Sequence, residues 1–185
     1  EAWHVKEAIK EYNENLEKHL RGEITLEELL NSKARPRILV KAKAVNGELE
    51  FEPATQEDNE KLWKALEKLK AMWGDPDIPT ESLPFYDQEF ARTHIWGFDK
   101  WFKLFNPRQL LTLVKLVKLI REAGEKVEEE KIQEGWSKED AFKYAEAVTT
   151  YLAIALVRYA GYSTLCTPWK KLHRVWKLYS FVEVG

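Results

Sequence analysis

RILVKAKAVNGELEFEP, residues 37–53, is the stretch on which the fold class turns. The apolar patterns on either side of it have a helical period. Here apolar and charged side chains alternate, and alternation marks a strand. Asn46-Gly47 lies at the middle, and both residue types tolerate the positive φ that a two-residue hairpin turn demands. In the register set by that turn, Val40, Ala42, Ala44, Leu49 and Phe51 share one apolar face. Pro53 ends the second strand. The stretch predicts a small antiparallel hairpin in a chain that is otherwise mostly helical.

Upstream, residues 2–20 carry Val5, Ile9, Tyr12, Leu16 and Leu20 at helical spacing, and Gly22 stops that helix. Thr25 and Glu28 form a capping box for one short helix. Downstream, Thr55 and Asp58 cap a helix over 56–73 with Leu62, Leu66, Leu69 and Trp73 on one side. WGDPDIP (73–79) breaks it, and 75–98 reads as a long ordered loop rich in Pro and aromatics. Two long helices follow, at 107–134 and 138–160. Ser137 with Asp140 caps the second, and Gly161 is its natural C′ residue. The tail, 163–185, is expected to hold a short helix and a final strand in YSFVEV (179–184).

The predicted class is α+β, mostly α: a helical domain with two long C-terminal helices and an antiparallel hairpin near 37–53. The organisation expected is a single domain or fragment over 1–185. Its parts are helix, hairpin and helix (1–73), loop (74–98), long helices (99–162) and a basic aromatic tail (163–185). No internal repeat or low-complexity segment interrupts it.

Composition narrows the classes. A chain of 185 residues with 44% hydrophobic content is long and apolar enough to bury a core. Its net charge of −2 excludes a global polycation, so any nucleic-acid surface must be local. Abundant Lys and Glu beside one Cys and one Met suit a thermophile. A single Cys forms no internal disulfide, which points to a reducing, cytoplasmic setting. The runs LLTLVKLVKLI (110–120) and AVTTYLAIALV (147–157) are too short to span a bilayer, so no membrane partner is expected. The chain begins with Glu, as a processed product or a piece of something longer would.

LFNPRQLL (104–111) poses a sharper question. Asn106 accepts from first-turn amides, Pro107 suits the first helical position, and Gln109 completes the box. Leu104, Phe105, Leu110 and Leu111 are core candidates. Arg108 fits none of this, because a cation at a helix N-terminus opposes the dipole. A salt bridge to a nearby carboxylate, a phosphate or a partner protein would each compensate it. Arg108 shares its helix face with Lys115, Lys118 and Glu122.

Three segments carry a resemblance. WFKLFNPRQLL (101–111) resembles a signature of the large adenine-specific DNA methylases of archaea and bacteria. YLAIALVRYAGYSTLC (151–166) is similar to a second stretch of that family, with Tyr151, Leu152, Ala153, Arg158, Ser163, Thr164, Leu165 and Cys166 fitting. YSFVE (179–183) resembles the stretch before the family's final catalytic block. The resemblance implies transfer of a methyl group from S-adenosylmethionine to N6 of adenine in DNA. That chemistry needs a glycine-rich turn after a strand for the cofactor. It also needs a polar-Pro-Pro-aromatic block to grip the flipped base.

Neither is present. Gly22, Gly47, Gly74, Gly97, Gly124, Gly135, Gly161 and Gly185 include no G-x-G. Leu83-Pro84-Phe85-Tyr86 and Asn106-Pro107-Arg108 are poor imitations of the second block. By the family's order, the cofactor glycines belong before Glu1 and the base-gripping block after Gly185. The chain thus looks like the middle of a methylase, excised or encoded apart, and is not expected to act alone. The missing catalytic regions are then its expected partners. No catalytic, cofactor-binding or metal residue is assigned. His4, His19, His94 and His173 show no metal spacing, Cys166 reads as a structural thiol, and EKVEEEKIQE (125–134) as a solvated helix face.

One interval stands on its own physics. Between Glu146 and Glu183 there is no acidic residue, while Arg158, Lys170, Lys171, Arg174, Lys177 and His173 interleave with Trp169, Trp176 and Tyr179. Basic and aromatic residues together suit phosphate contact and base stacking. The same residues also read as core aromatics flanked by lysines, or as a docking face for the missing parts. The nucleic-acid candidates are Arg108, Arg158, Lys170, Lys171, Arg174 and Lys177. Two readings remain. The first is a non-catalytic helical segment of an adenine-specific DNA methyltransferase that helps to position DNA or brace the catalytic domain. The second is a protein–protein interaction module with no nucleic-acid role.

Overall fold

The computed structural model describes residues 2–85 and 93–165, and the backbone of two short strands at 169–170 and 175–176. The fold is α+β and mostly helical. Helix α1 (Ala2–Leu20) ends where Gly22 takes a φ of +81°. Helix α2 (Leu26–Leu30) carries the Thr25–Glu28 box in both directions. Strands β1 (Val40–Val45) and β2 (Glu48–Pro53) pair antiparallel, and Asn46 and Gly47 both have positive φ. Helix α3 (Gln56–Ala71) carries the Thr55–Asp58 box. Helices α4 (Pro107–Gln133) and α5 (Lys138–Tyr162) are the long pair expected.

The register sets Ala42 opposite Phe51 and Ala44 opposite Leu49, so the apolar face is shared as the alternation requires. That face lies in water: Val40, Ala42, Ala44 and Phe51 are exposed. The cause is on the other face. Lys41 Nζ lies 2.9 Å from Asp58 Oδ2 and 3.7 Å from Glu52 Oε2, which turns the charged side toward the start of α3. Asn59 clamps the approach, accepting from the Ile38 amide at 2.9 Å and donating to its carbonyl at 3.2 Å.

The chain divides into two compact units. The first holds 1–75 and 79–111, and the second 76–78 and 112–185. The boundary falls inside the helical run of α4. The core of the first unit takes Tyr12, Leu16 and Leu20 from α1, Leu29 from α2, and Leu62, Ala65, Leu66 and Leu69 from α3. Leu83, Phe102, Leu104 and Leu110 complete it, with Trp73 edge-on to Phe102 at 5.3 Å between centroids. Phe105 and Leu111 are only half-buried. Gly97 is needed where the loop crosses α1: its φ is +80°, and a Cβ there would lie 2.9 Å from Lys10 Cα.

Among the described residues, the second unit buries Ile78, Val114, Ala141 and Ala145. A Cβ on Gly124 would sit 2.6 Å from Thr149 Cγ2, so α4 and α5 approach where only glycine fits. Arg121 fixes the segment 76–78 through Asp77, at 2.5 Å. Gly161 is not the C′ residue. Helix α5 runs through it to Tyr162, and Ser163 caps by donating its amide to the Ala160 carbonyl at 3.0 Å. In the tail, Trp169–Lys170 (β3) pairs antiparallel with Val175–Trp176 (β4). The expected strand at 179–184 and Cys166 lie outside the described residues.

Candidate functional site

The start of α4 is built as its sequence demands. Asn106 Oδ1 accepts from the Arg108 and Gln109 amides, both at 3.0 Å, and Gln109 Oε1 accepts from the Asn106 amide at 2.9 Å. Phe102, Leu104 and Leu110 anchor that turn in the first unit. Arg108 is held on the exposed side, and it is not without interactions. Along the same helix Lys115 and Glu122 are exposed and Lys118 is half-buried.

Arg158 is exposed on α5, in the second unit, and makes no ion pair among the described residues. Lys170 is placed by its backbone in β3, opposite Val175. Its side chain, and Lys171, Arg174 and Lys177 entirely, lie outside the described residues. Of the six candidates, only Arg108 and Arg158 have described side chains, and they belong to different units.

What surrounds Arg158 is more telling. From Ala147 to Val157 the helix carries no charged residue, yet Tyr151 is 76% exposed and Val157 73%. Ile154, Leu152 and Tyr159 are exposed as well. A helix apolar on all sides is normally buried. This one is in water on most sides. At its other end Trp136 and Tyr144 meet edge-on at 5.6 Å, and Lys131 Nζ lies 5.4 Å from each ring centroid.

Two clusters in the first unit were not legible in the sequence, because their members are far apart along the chain. Glu17 takes Lys100 Nζ at 2.5 Å and Lys103 Nζ at 3.0 Å, and also pairs with Arg21. Lys103 is 3% exposed and is satisfied by Asp99 as well, at 2.7 Å. Burial pushes the Glu17 carboxyl up, and the hydrogen bonds from Lys100 and Lys103 outweigh it, leaving Glu17 below the ordinary carboxylate range. His19 is fully buried, with Nδ1 3.1 Å from the Ile24 carbonyl oxygen and Nε2 2.7 Å from Glu67 Oε1. Both rings of contacts are closed, which suits structure rather than catalysis.

The Asp58 carboxyl is held well below its usual range, first by the Thr55 amide and then by Lys41. Beside α3, Leu26 and Trp63 floor an open groove of about 580 Å³ rimmed by Glu60, Lys64, Glu67 and Lys68. No three His, Cys, Asp or Glu residues converge as a metal site among the described residues. The described strands form two-stranded antiparallel ladders, and no glycine follows one to open a helix; Gly97, the close-packed loop glycine, is filled by Lys10 of the chain itself. No described helix is long and apolar enough to cross a membrane.

Comparisons with protein-family models, with curated proteins and with solved structures find no match to this chain.

Proposed function

We propose that the chain is a non-catalytic helical segment of an adenine-specific (N6) DNA methyltransferase, which helps to position DNA or braces the catalytic domain. The observation that carries the reading is the exposure of the apolar half of α5. That half contains most of YLAIALVRYAGYSTLC, one of the segments on which the methylase resemblance rests. Surface of that kind is made to meet another body. The other resembling segment, WFKLFNPRQLL, buries Phe102, Leu104 and Leu110 and leaves Arg108 outside. In this reading S-adenosylmethionine belongs to the full-length protein and is held by regions other than 1–185. DNA is met by the acid-free interval after Glu146, through Arg158, Lys170, Lys171, Arg174 and Lys177, with Arg108 as a further contact.

A DNA-binding titration over a salt series tests it. Phosphate contacts give a steep slope, and charge reversal at Lys170, Lys171 and Arg174 flattens it by about one unit per lost contact. Binding that ignores salt and these substitutions sinks the DNA half of the proposal. The exposure of α5 equally favours the second reading, a protein interaction module with no nucleic-acid role. That reading is left standing if no DNA binding is measured at low salt.

A further inference from the structure

Six residues of α5 form a line along the helix: Asp140, Tyr144, Ala147, Tyr151, Ile154 and Arg158. Their steps are 4-3-4-3-4, the spacing of a coiled-coil seam. All six are exposed. The line reads the same in both directions about Thr149, and its two ends carry opposite charges. Asp140 and Arg158 stand 18 residues apart in this numbering, which is about five turns at 3.6 residues per turn, so both point along one edge of the helix.

We infer that this seam is an interface for a second copy of the same chain, packed antiparallel about a two-fold axis beside Thr149. A two-fold contact is isologous, so each residue meets its mirror position on the seam. Asp140 meets the partner's Arg158, and Arg158 meets the partner's Asp140. Tyr144 meets the partner's Ile154, and Tyr151 meets the partner's Ala147, large against small. Parallel packing would instead set Arg158 on Arg158 and Asp140 on Asp140. The charges are available: Arg158 has no ion pair among the described residues, and Asp140 accepts the Ser137 hydroxyl at 2.7 Å on one oxygen, leaving the other open. Tyr144 is already oriented by Trp136 and Lys131, which lowers the entropy lost on contact.

The seam is about 27 Å long at 1.5 Å per residue. Six residues per copy fall short of the roughly 20–30 of a standard interface, so the dimer is weak and concentration-dependent, on the micromolar scale. The inference does not rest on the methylase reading, and in the dimer Arg158 is a protein contact, which leaves DNA to the other cations.

Sedimentation velocity on the full chain, from about 1 to about 500 µM, tests it. A monomer–dimer shift across that range is expected. Arg158→Asp sets acid against acid at both ends and weakens the dimer at least about tenfold. The charge exchange, Asp140→Arg with Arg158→Asp, restores it. Because Arg at 140 opposes the α5 dipole, Tyr151→Glu serves as a second variant. Tyr151 lies in water in the monomer, so this change abolishes the dimer without unfolding the chain, as circular dichroism will show. A chain that stays monomeric throughout overturns the inference, whether a Tyr151→Cys thiol is then open to reagent or shielded by the chain's own tail. So does a dimer indifferent to Arg158→Asp and Tyr151→Glu.

Discussion

Helix α3 and the second half of α5 handle similar apolar side chains in opposite ways. Helix α3 buries Leu62, Ala65, Leu66 and Leu69 on one stripe and keeps Lys61, Lys64, Glu67 and Lys68 in water on the other. In α5, residues 147–157 have no polar stripe to offer, and Tyr151, Ile154 and Val157 stand exposed. Amphipathic patterning specifies how a helix packs within its own unit. Uniform apolarity specifies only that a helix wants cover, not where the cover comes from. Helix α3 spends its leucines on the core of the first unit, whereas the second half of α5 leaves most of its apolar side chains exposed.

The sharpest way to break this contrast is a matched pair of truncations. Leu66 is 1% exposed and Val157 is 73% exposed. Leu66→Ala removes packed methylenes and leaves a cavity, for a loss of about 3 kcal/mol. Val157→Ala removes atoms already in water and stays within about 0.5 kcal/mol. Urea unfolding at micromolar concentration separates the two. Comparable losses would mean that Val157 is covered in solution.

Smaller in size, but aimed at a close contact of the second unit, is Gly124→Ala. The added methyl meets Thr149 Cγ2 at 2.6 Å, and Thr149 is β-branched and stiff within a helix. The clash outweighs the better helix propensity of Ala, so a net loss of about 1–2 kcal/mol is expected. In a Thr149→Ala background the same change becomes neutral or gains up to about 1 kcal/mol. Thermal melts of the wild type and the three variants close the cycle, and a Gly124→Ala effect that ignores residue 149 would place the helices further apart.

The ion cluster of the first unit sharpens the comparison through pH. Glu17 is depressed in the fold, so the unfolded chain binds its proton more readily. Its contribution is complete above the ordinary 4.5 and is lost as pH falls through the lower folded value. The urea midpoint should therefore drop on acidification below that range. Glu17→Gln should lower stability near neutral pH and flatten the acid limb. An acid limb identical in the two proteins would assign the acid sensitivity to other carboxylates, Asp58 among them.

Local signals were the legible ones. Asn46-Gly47 specified the turn, Thr25/Glu28 and Thr55/Asp58 the caps, and Asn106-Pro107 with Gln109 the start of α4, because each works within four residues. Gly161 misled, since a glycine ends a helix only when the chain turns there, and α5 continues past it. The hairpin's alternation gave the shared face but not its surroundings, which Lys41 and Asp58 decide across a longer separation. The Glu17 cluster joins residues 83 positions apart at its Lys100 contact, beyond the reach of any periodicity. The candidate cations were chosen by helix position and by their interleaving with aromatics, and neither says which surface a side chain shares.

The smallest expected effect concerns a group that the core of the first unit holds at a disadvantage. Tyr12 is buried on α1, and its hydroxyl has no hydrogen-bond partner among the described residues. Burial pushes its phenol up, well above the ordinary value. An unpaired buried hydroxyl forfeits its hydration without return, while the ring beneath it packs normally. Tyr12→Phe keeps the ring and removes the uncompensated oxygen. It should leave the urea midpoint unchanged or raise it, by no more than about 1 kcal/mol. The sign also follows from titration. A phenol raised in the fold stabilises the neutral form, so the wild-type chain loses stability as pH rises above the ordinary value of 10.0. The Phe variant lacks that loss, and the gap between the two proteins should widen in alkali. A destabilisation of more than about 1 kcal/mol at neutral pH would show instead that the hydroxyl is satisfied. The first unit's core would then be wetter near α1 than its packed leucines suggest, and less unlike the exposed half of α5.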